Sequence, residues 1–530
     1  MLRTDNGRST SLWMATASVP SFPTVDSDIS CDVCIIGAGI AGLSIGYHLA
    51  VGGQQVVIID DGPITGGETS RTTAHLTSAI DDRYFEMERL HGESGSRLAY
   101  ESHQAAIERI AQIVQEEGID CDFRRLEGYL FLSEDDKQAT LQKELAAAHR
   151  AGFTDVKLVD QAPGTAQGGV PLVPALRFPR QGQFHVLKYL NGLVRAIERR
   201  GGRIFANTHA ESVAGGIPAE IKVAGGHRIL SKAIVVATNT PVNDWVEIHT
   251  KQMPYRTYVV AGRVARNSIP MALYWDTGDP YHYIRLQDSG DNDYEYLIVG
   301  GEDHKTGQAD DGERRFRALE DWARARWPMI EQFDMRWSGQ VMETQDGLGF
   351  IGRNPLDKDN VYIATGDSGM GMTHGTIAGM LISALILKGD HPWAKLYDPS
   401  RIRLAAAGEY IKENLNTAAQ YKEYFTGGDV ENEDLIPAGS GAIVRHGLTK
   451  VATYRDEAGK LHSCSAVCPH LGGIVQWNSL EKTWDCPAHG SRFAAEDGHV
   501  VNGPANSGLP ASKSAEKKPA PQKEKEEEAA

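Results

Sequence analysis

At 530 residues the chain is long enough to build more than one hydrophobic core. A formal net charge of -16 argues against nucleic acid and anionic membranes as partners, and a 41% apolar fraction is ordinary for a globular protein. Six cysteines are too few for a disulfide scaffold and fit a reducing, cytoplasmic compartment, and the sequence shows no 18-residue apolar run of the kind that spans a membrane.

Residues 1–30 read as a polar N-terminal arm containing Pro20 and Pro23. Residues 12–19 are only mildly apolar and end at Pro20, without the flanks of a secretion signal. The strongest signal follows. An apolar run, Val33-Cys34-Ile35-Ile36, enters Gly37-Ala38-Gly39-Ile40-Ala41-Gly42, then a helical segment, then a second apolar run ending on Asp60. Strand, G-x-G-x-x-G turn, helix, strand and terminal acid, in that order, are the parts of a dinucleotide site. Gly37 serves the tight turn, Gly39 the approach of backbone to pyrophosphate, Gly42 the helix–strand packing, and Asp60 a ribose hydroxyl. Beyond Asp61, a loop containing Gly67, Arg71, Thr72, Thr73 and Ala74 offers N–H groups and hydroxyls that can wrap a cofactor. Cys31 and Cys34 form C-x-x-C, but on a buried strand they read as core packing.

Apolar residues at three and four spacing predict helices over 84–118. A strand near 129–132, a charged helix over 135–151 and a helix over 186–199 follow, then strands near 203–205 and 221–223. The apolar strand 233–239 ends in Ala237-Thr238-Asn239, small enough to pass beneath a cofactor. Residues 253–301 read as strands, and Tyr283, Arg285 and His304 are the candidates there for contact with substrate. After a helix over 312–327, a strand at 361–364 leads into a loop carrying Gly366, Gly369, Met370, Gly371, Met372 and Thr373, with a helix expected from 376 to 387. A helix start among glycines sets partial positive charge against any bound group, and a reduced flavin ring is negatively charged. A helix-rich segment at 401–424, an acidic linker at 426–434 and a β-rich unit at 435–511 complete the ordered chain. Residues 512–530 are Lys, Glu, Ala and Pro and read as disordered.

The β-rich unit holds a second chemical signature, Cys468-Pro469-His470 and Cys486-Pro487-Ala488-His489-Gly490-Ser491. A zinc site with two Cys and two His ligands is the structural alternative, but zinc-finger spacing groups Cys with Cys and His with His. Here each loop gives one of each, which suits a 2Fe–2S cluster with two imidazoles on one iron.

On these residues 435–510 resembles the Rieske domain. That resemblance implies Cys468 and Cys486 on the inner iron and His470 and His489 on the outer one. Gly473 and Ala488 stand where high-potential Rieske proteins carry a loop-linking disulfide, and Phe493 stands where they carry a tyrosine. Ser491 keeps a hydroxyl for a cluster sulfur, so an intermediate or low potential is expected. Residues 31–395 resemble the D-amino-acid-oxidase-like (DAO) superfamily through Gly37, Gly39, Gly42, Asp60, the loop at 71–76, Ala237-Thr238-Asn239 and the loop at 366–375. The resemblance implies FAD held non-covalently, since Thr72 falls where covalent relatives carry histidine, and it adds Val213 to the cofactor contacts. Val341-Met342 falls where amino-acid-oxidising relatives carry an arginine, and Leu297-Ile298-Val299 offers no oxygen-activating lysine.

The expected architecture is α/β: a Rossmann-like FAD part (about 31–110, 180–245 and 335–395) interleaved with an α+β substrate part (about 111–180 and 246–335), plus a C-terminal all-β Rieske domain. The expected activity is an FAD-dependent dehydrogenase. It takes a hydride from a small organic substrate such as an amine and passes electrons singly through the cluster to an external protein or quinone. The alternatives are a nicotinamide- or ferredoxin-driven reductase with reversed flow, or a non-enzymatic redox sensor or carrier.

Overall fold

In a computed structural model, residues 6–163, 173–243 and 247–512 are described. The organising layer is a six-stranded sheet in the order Phe350–Arg353, Val361–Thr365, Ala233–Val236, Val33–Ile36, Val56–Ile59, Arg203–Phe205. Its strands run parallel except for the edge strand Phe350–Arg353. The inner strands are buried on both faces, which is why they are continuous Val, Ile, Ala and Cys rather than alternating. Helices Ile40–Val51 and Gly371–Lys388 pack against one another over this sheet. They come close because Gly375 and Gly379 leave room: a Cβ on Gly375 would lie 2.8 Å from Ile40 Cγ2.

Gly371–Lys388 begins five residues before the expected start at 376. Met370 caps it, and the glycine-rich stretch forms its first turn instead of a preceding loop. This helix is also long and apolar enough to cross a membrane, against the expectation from sequence. Yet 61% of it is buried inside the protein, as suits a core helix.

The second layer is a nine-stranded sheet, mostly antiparallel, built on the long strands Gln252–Ala265, Tyr294–Lys305 and Phe333–Thr344. The helix Gly312–Arg326 covers one side of it through Phe316, Leu319 and Ala323. The N-terminal arm is ordered over Leu12–Thr16, with Trp13 fully buried and its Nε1 donating to the Thr72 carbonyl at 2.6 Å.

The C-terminal unit is all antiparallel. One three-stranded sheet spans Ser440–His446, Thr449–Arg455 and Leu461–Ser465; a four-stranded sheet spans Gln476–Asn478, Thr483–Asp485, Arg492–Ala494 and Val500–Asn502. Its own core gathers Trp477, Trp484 and Phe493. The stretch expected to be a free acidic linker is partly fastened to this unit: Asp429 N donates to Ile443 O and Val430 bridges to Val444. The charged tail expected at 512–530 lies outside the described residues apart from Ser512.

Candidate functional site

One cavity of about 300 Å³ opens at the C-terminal ends of the parallel strands, where helices Ile40–Val51 and Gly371–Lys388 both begin. Its floor requires glycine. Gly37 has φ +102°, and a Cβ there would sit 2.4 Å from the Ala237 carbonyl; a Cβ on Gly42 would sit 1.8 Å from the Gly37 carbonyl. Asp60 is fixed at its strand end by accepting from Ala38 N at 2.6 Å and Gly62 N at 3.0 Å. Thr69 Oγ1 accepts from Ile40 N at 3.1 Å. Two helix N-termini, a bare glycine floor and a held acid are what a dinucleotide needs. Buried polar atoms with no partner among the described residues, Asn239 Nδ2 and Asp367 Oδ1, belong to residues in the cavity wall, and both suit a polar cofactor.

Most of the residues expected to hold the cofactor line this cavity: Gly37, Gly39, Ile40, Ala41, Asp60, Asp61, Gly67, Arg71, Thr72, Thr73, Ala237, Thr238, Gly366, Gly369, Met370, Gly371 and Met372. Four do not. Gly42 lies beneath the turn in a packing role. Ala74 carries a positive φ of 58° that turns the loop. Thr373 Oγ1 meets His103 Nδ1 at 2.8 Å on the far side of its helix. Val213 packs on the core shared with Ile221 and Ile229, and Thr208, His209 and Ala210 line the cavity in its place.

Of the three substrate candidates, Tyr283 borders the cavity, with its hydroxyl 2.5 Å from Thr257 Oγ1. His304 does not. A register shift against Gln252–Ala265, between the pairs Tyr258–Gly301 and Arg256–His304, inverts the alternation at the end of Tyr294–Lys305, so Asp303 faces the cavity while His304 pairs with the Tyr258 hydroxyl at 3.0 Å. Arg285 is fully buried behind the wall. Its guanidinium donates to the carbonyls of Thr73, Ala74 and Phe184 and holds the cofactor loop instead of a substrate; burial pushes its pKa down to about 9.

The end of the cavity near Tyr283 is acidic and aromatic. Asp81, Asp303, Glu343 and Asp367 line it with Trp275, Tyr281 and Tyr283. Tyr281 donates to Asp81 Oδ2 at 2.7 Å. Burial raises the pKa of all four acids, Asp303 to about 7 and Asp367 to about 6; for Glu343 the neighbouring Asp82 and Asp81 add to it. Val341 is in the wall where an arginine for a carboxylate was missed in the sequence. His75 borders the same space but is kept neutral, because burial and then Arg285 push it down to about 3.

The four residues expected to hold the cluster sit on two matching loops. Gly472 N donates to Cys468 O and Gly490 N to Cys486 O, each at 3.0 Å, and both glycines take φ near +80° to close the turn. The Cys468 thiol is lowered, first by its hydrogen bond with Cys486. Against burial, the amides of His470 and Leu471 and the Ser491 hydroxyl add to this, while the same Cys468–Cys486 bond, followed by burial, pushes the Cys486 thiol up. The His470 and His489 rings lie 5.0 Å apart, and burial followed by His470 pushes His489 down to about 4, the neutral form a metal needs. Thiolates paired on one side and imidazoles on the other fit a two-iron cluster. A Cβ built on Gly473 would lie 3.2 Å from Ala488 Cβ, so these two positions do face each other without a disulfide.

The cluster loops dock on the large domain. His249, buried in the turn Ile248–Thr250, lies with its ring 4.8 Å from that of His470. Behind this contact is a buried charge network. Arg71 and Ser338 meet Glu481, Arg492 meets Asp485 at 3.2 Å and Glu68 at 3.7 Å, and Arg492 Nη1 donates to Asn6 Oδ1. Arg71 therefore borders the cavity with its guanidinium committed to the small domain and the N-terminal arm. The spacing of a sequence gives no sign of such a network, because its members are scattered from Asn6 to Arg492.

Residues 32–385 match the family described as FAD dependent oxidoreductase, and residues 429–513 match the Rieske [2Fe-2S] domain. The chain is 34% identical over 498 residues to YhfW of Bacillus subtilis (strain 168), named as a Rieske 2Fe-2S iron–sulfur protein; the match covers 93% of this chain and 95% of that one. It is 30% identical to the gamma-glutamylputrescine oxidoreductase of Escherichia coli (strain K12), over 70% of this chain and 86% of that protein. Among solved structures, glycine oxidase from Geobacillus kaustophilus shares the fold, with a TM-score of 0.58 at 19% identity, covering 71% of this chain and 99% of that one. The chain belongs to the FAD-dependent oxidoreductase family and carries a C-terminal Rieske [2Fe-2S] domain.

Proposed function

We propose that the protein is a dehydrogenase of a cationic amine that delivers the electrons, one at a time, to its own iron–sulfur domain and from there to an external acceptor in a reducing, cytoplasmic compartment. The observation that carries this reading is Gln340. It lines the flavin cavity, and its Nε2 donates to the carbonyl of Gly490 in the cluster loop at 2.9 Å, so one side chain spans both redox sites. Bound FAD supplies a two-electron acceptor, and the cluster supplies a one-electron carrier.

The substrate class follows from the acids. In their ionised forms Asp81, Asp303, Glu343 and Asp367 attract an ammonium group, whose charge would in turn offset the rise that burial gives them, and Trp275, Tyr281 and Tyr283 line the same space. Val341 removes the positive charge that a carboxylate would seek. Oxidation of an amine to an imine releases two electrons and two protons. With a pKa raised to about 7, Asp303 is suited to take one of those protons at Oδ1, which has no partner among the described residues. The likeness to a relative named for gamma-glutamylputrescine supports an amine as well.

Anaerobic mixing of the purified protein with primary and secondary amines tests the reading. Amines should bleach the flavin absorbance and then the cluster signal, and amino acids should do so far less. A flavin that reduces while the cluster stays oxidised would overturn the electron route; bleaching by NADH alone would favour reversed flow.

A further inference from the structure

We infer that the Rieske domain is a structural part of the FAD site and closes its adenosine half. Val500, Val501, Asn502, Gly503, Ala505 and Asn506, all beyond the cluster ligands, line the same cavity as the glycine floor of the dinucleotide turn. They are fastened there at both ends. Asn506 Nδ2 donates to the Ala210 carbonyl at 2.9 Å, and His209 Nε2 lies 3.1 Å from the Asn506 carbonyl. At the other end Asn502 Nδ2 donates to Glu68 Oε1 at 3.2 Å and to Gln340 Oε1. Between them Gly503 passes so close that a Cβ would lie 3.1 Å from Thr240 Oγ1 and 3.4 Å from Val242 Cγ1.

The half of FAD concerned follows from position. Asp60 marks the ribose end of a dinucleotide site. Asp60 and Asp61 share a second, adjoining cavity with Asp497, His499, Val500 and Val501 of the small domain. The segment thus covers the adenosine end, while the acids around Tyr283 mark the opposite, reacting end. Glu68 and Gln340 bond both to the segment and, through their own backbone–side chain bond, to each other at 2.7 Å, so the cover is tied to the cofactor loop. Cofactor retention then depends on the small domain being docked, a dependence independent of which substrate the enzyme oxidises.

The test uses the full-length holoprotein and three variants: Asn506→Ala, which removes one fastening bond; Gly503→Leu, which lifts the segment; and Asn506→Asp, which sets a carboxylate against the Ala210 carbonyl. FAD release is followed by the rise in flavin fluorescence on dilution, and ADP binding to the flavin-stripped protein is measured separately. The cluster's visible and EPR spectra report whether the small domain is still folded. With those spectra unchanged, the FAD dissociation constant should rise about threefold or more in Asn506→Ala and about tenfold or more in Gly503→Leu and Asn506→Asp, with ADP weakened in the same proportion. FAD and ADP constants within twofold of the parent in all three variants would overturn the inference. So would weakened FAD with unchanged ADP, since the segment would then be acting elsewhere than on the adenosine half. If a variant loses its cluster spectrum, the other two decide.

Discussion

Gln340 Nε2 donates to Gly490 O across 2.9 Å, joining the wall of the flavin cavity to the loop that carries Cys486 and His489. The contact is tight on both sides: a Cβ on Gly490 would lie 2.4 Å from Pro254 Cβ and 2.6 Å from Gln340 Nε2. Gln340 is held in turn by Asn502 and by its backbone bond to Glu68. The wall of the cavity and the cluster loop are thus joined by a side chain that packing leaves little room to move.

Replacing Gln340 with alanine should therefore separate the two half-reactions. In flavin-saturated protein, bleaching by amine is expected to keep its rate within about twofold, whereas cluster reduction should slow by about tenfold or more; because Gln340 also holds Asn502, FAD should be released more readily. Stopped-flow absorbance at flavin and cluster wavelengths checks it. Equal slowing of both phases would mean that the residue only supports the fold.

Glu481 makes a prediction about the joint between the domains. It is 1% exposed; burial alone would raise its pKa, but Arg71, Arg256 and Arg492 outweigh burial and hold it at about 2. Relative to an unfolded glutamate near ~4.3, this lowered pKa contributes stability that is fully present above that value and is lost as pH falls toward 2. Glu481→Gln leaves buried guanidinium groups without their counter-charge. It should cost about 3–5 kcal/mol at pH 7 and flatten the acid limb of the melting curve. Thermal denaturation from pH 3 to 8 measures both effects, and an unchanged Tm at pH 7 would contradict the role given to this carboxylate.

Gly42→Ala tests the floor of the cavity. A Cβ 1.8 Å from the Gly37 carbonyl cannot be absorbed by a flexible side chain, because the obstacle is backbone. The turn must open, and the expected product is a protein that folds around its Rieske core but elutes without flavin. A bound flavin with normal absorbance would show that the turn tolerates the shift.

How much of this was readable beforehand follows from the range of each interaction. The Gly37 to Asp60 unit and the two Cys–His loops were legible because every part lies within a few turns of the next, and backbone geometry dictates the residue type. The strand and helix pattern of Val33–Ile36, Val186–Arg199 and Val361–Thr365 was legible for the same reason. His304 was misjudged because a register shift between Gly301 and His304 turns it to the other face of its strand, and Arg285 because, although it shares the face of Tyr283, the carbonyls of Thr73, Ala74 and Phe184 take up its guanidinium behind the wall. The acids near Tyr283 come from four separate segments, at Asp81, Asp303, Glu343 and Asp367, and no spacing rule brings them together. The contribution of Val500 to Asn506 was invisible too, since it depends on how two domains dock.

The last prediction concerns Asp303. Burial is the largest cause of its pKa near 7; Asp81 and Glu302 add to it, and Thr257 and Arg315 work against it. Raised above an ordinary aspartate value of ~3.9, the group favours the folded, substrate-free protein most at low pH, and that contribution is lost as pH rises through about 7. Binding of an ammonium group has the opposite sign, because it needs the carboxylate. Amine KM should therefore fall as pH rises through about 7. In Asp303→Asn the KM should be high throughout and lose that inflection, while the substrate-free Tm at pH 8 should increase, since a buried charge has been removed. The neighbours Asp81 and Asp367 keep part of the attraction, so a KM increase of about tenfold, not complete loss, is expected. Steady-state kinetics from pH 5.5 to 9 with melting curves at both ends would reveal it. A pH profile identical in variant and parent would place the titrating group elsewhere in the cavity.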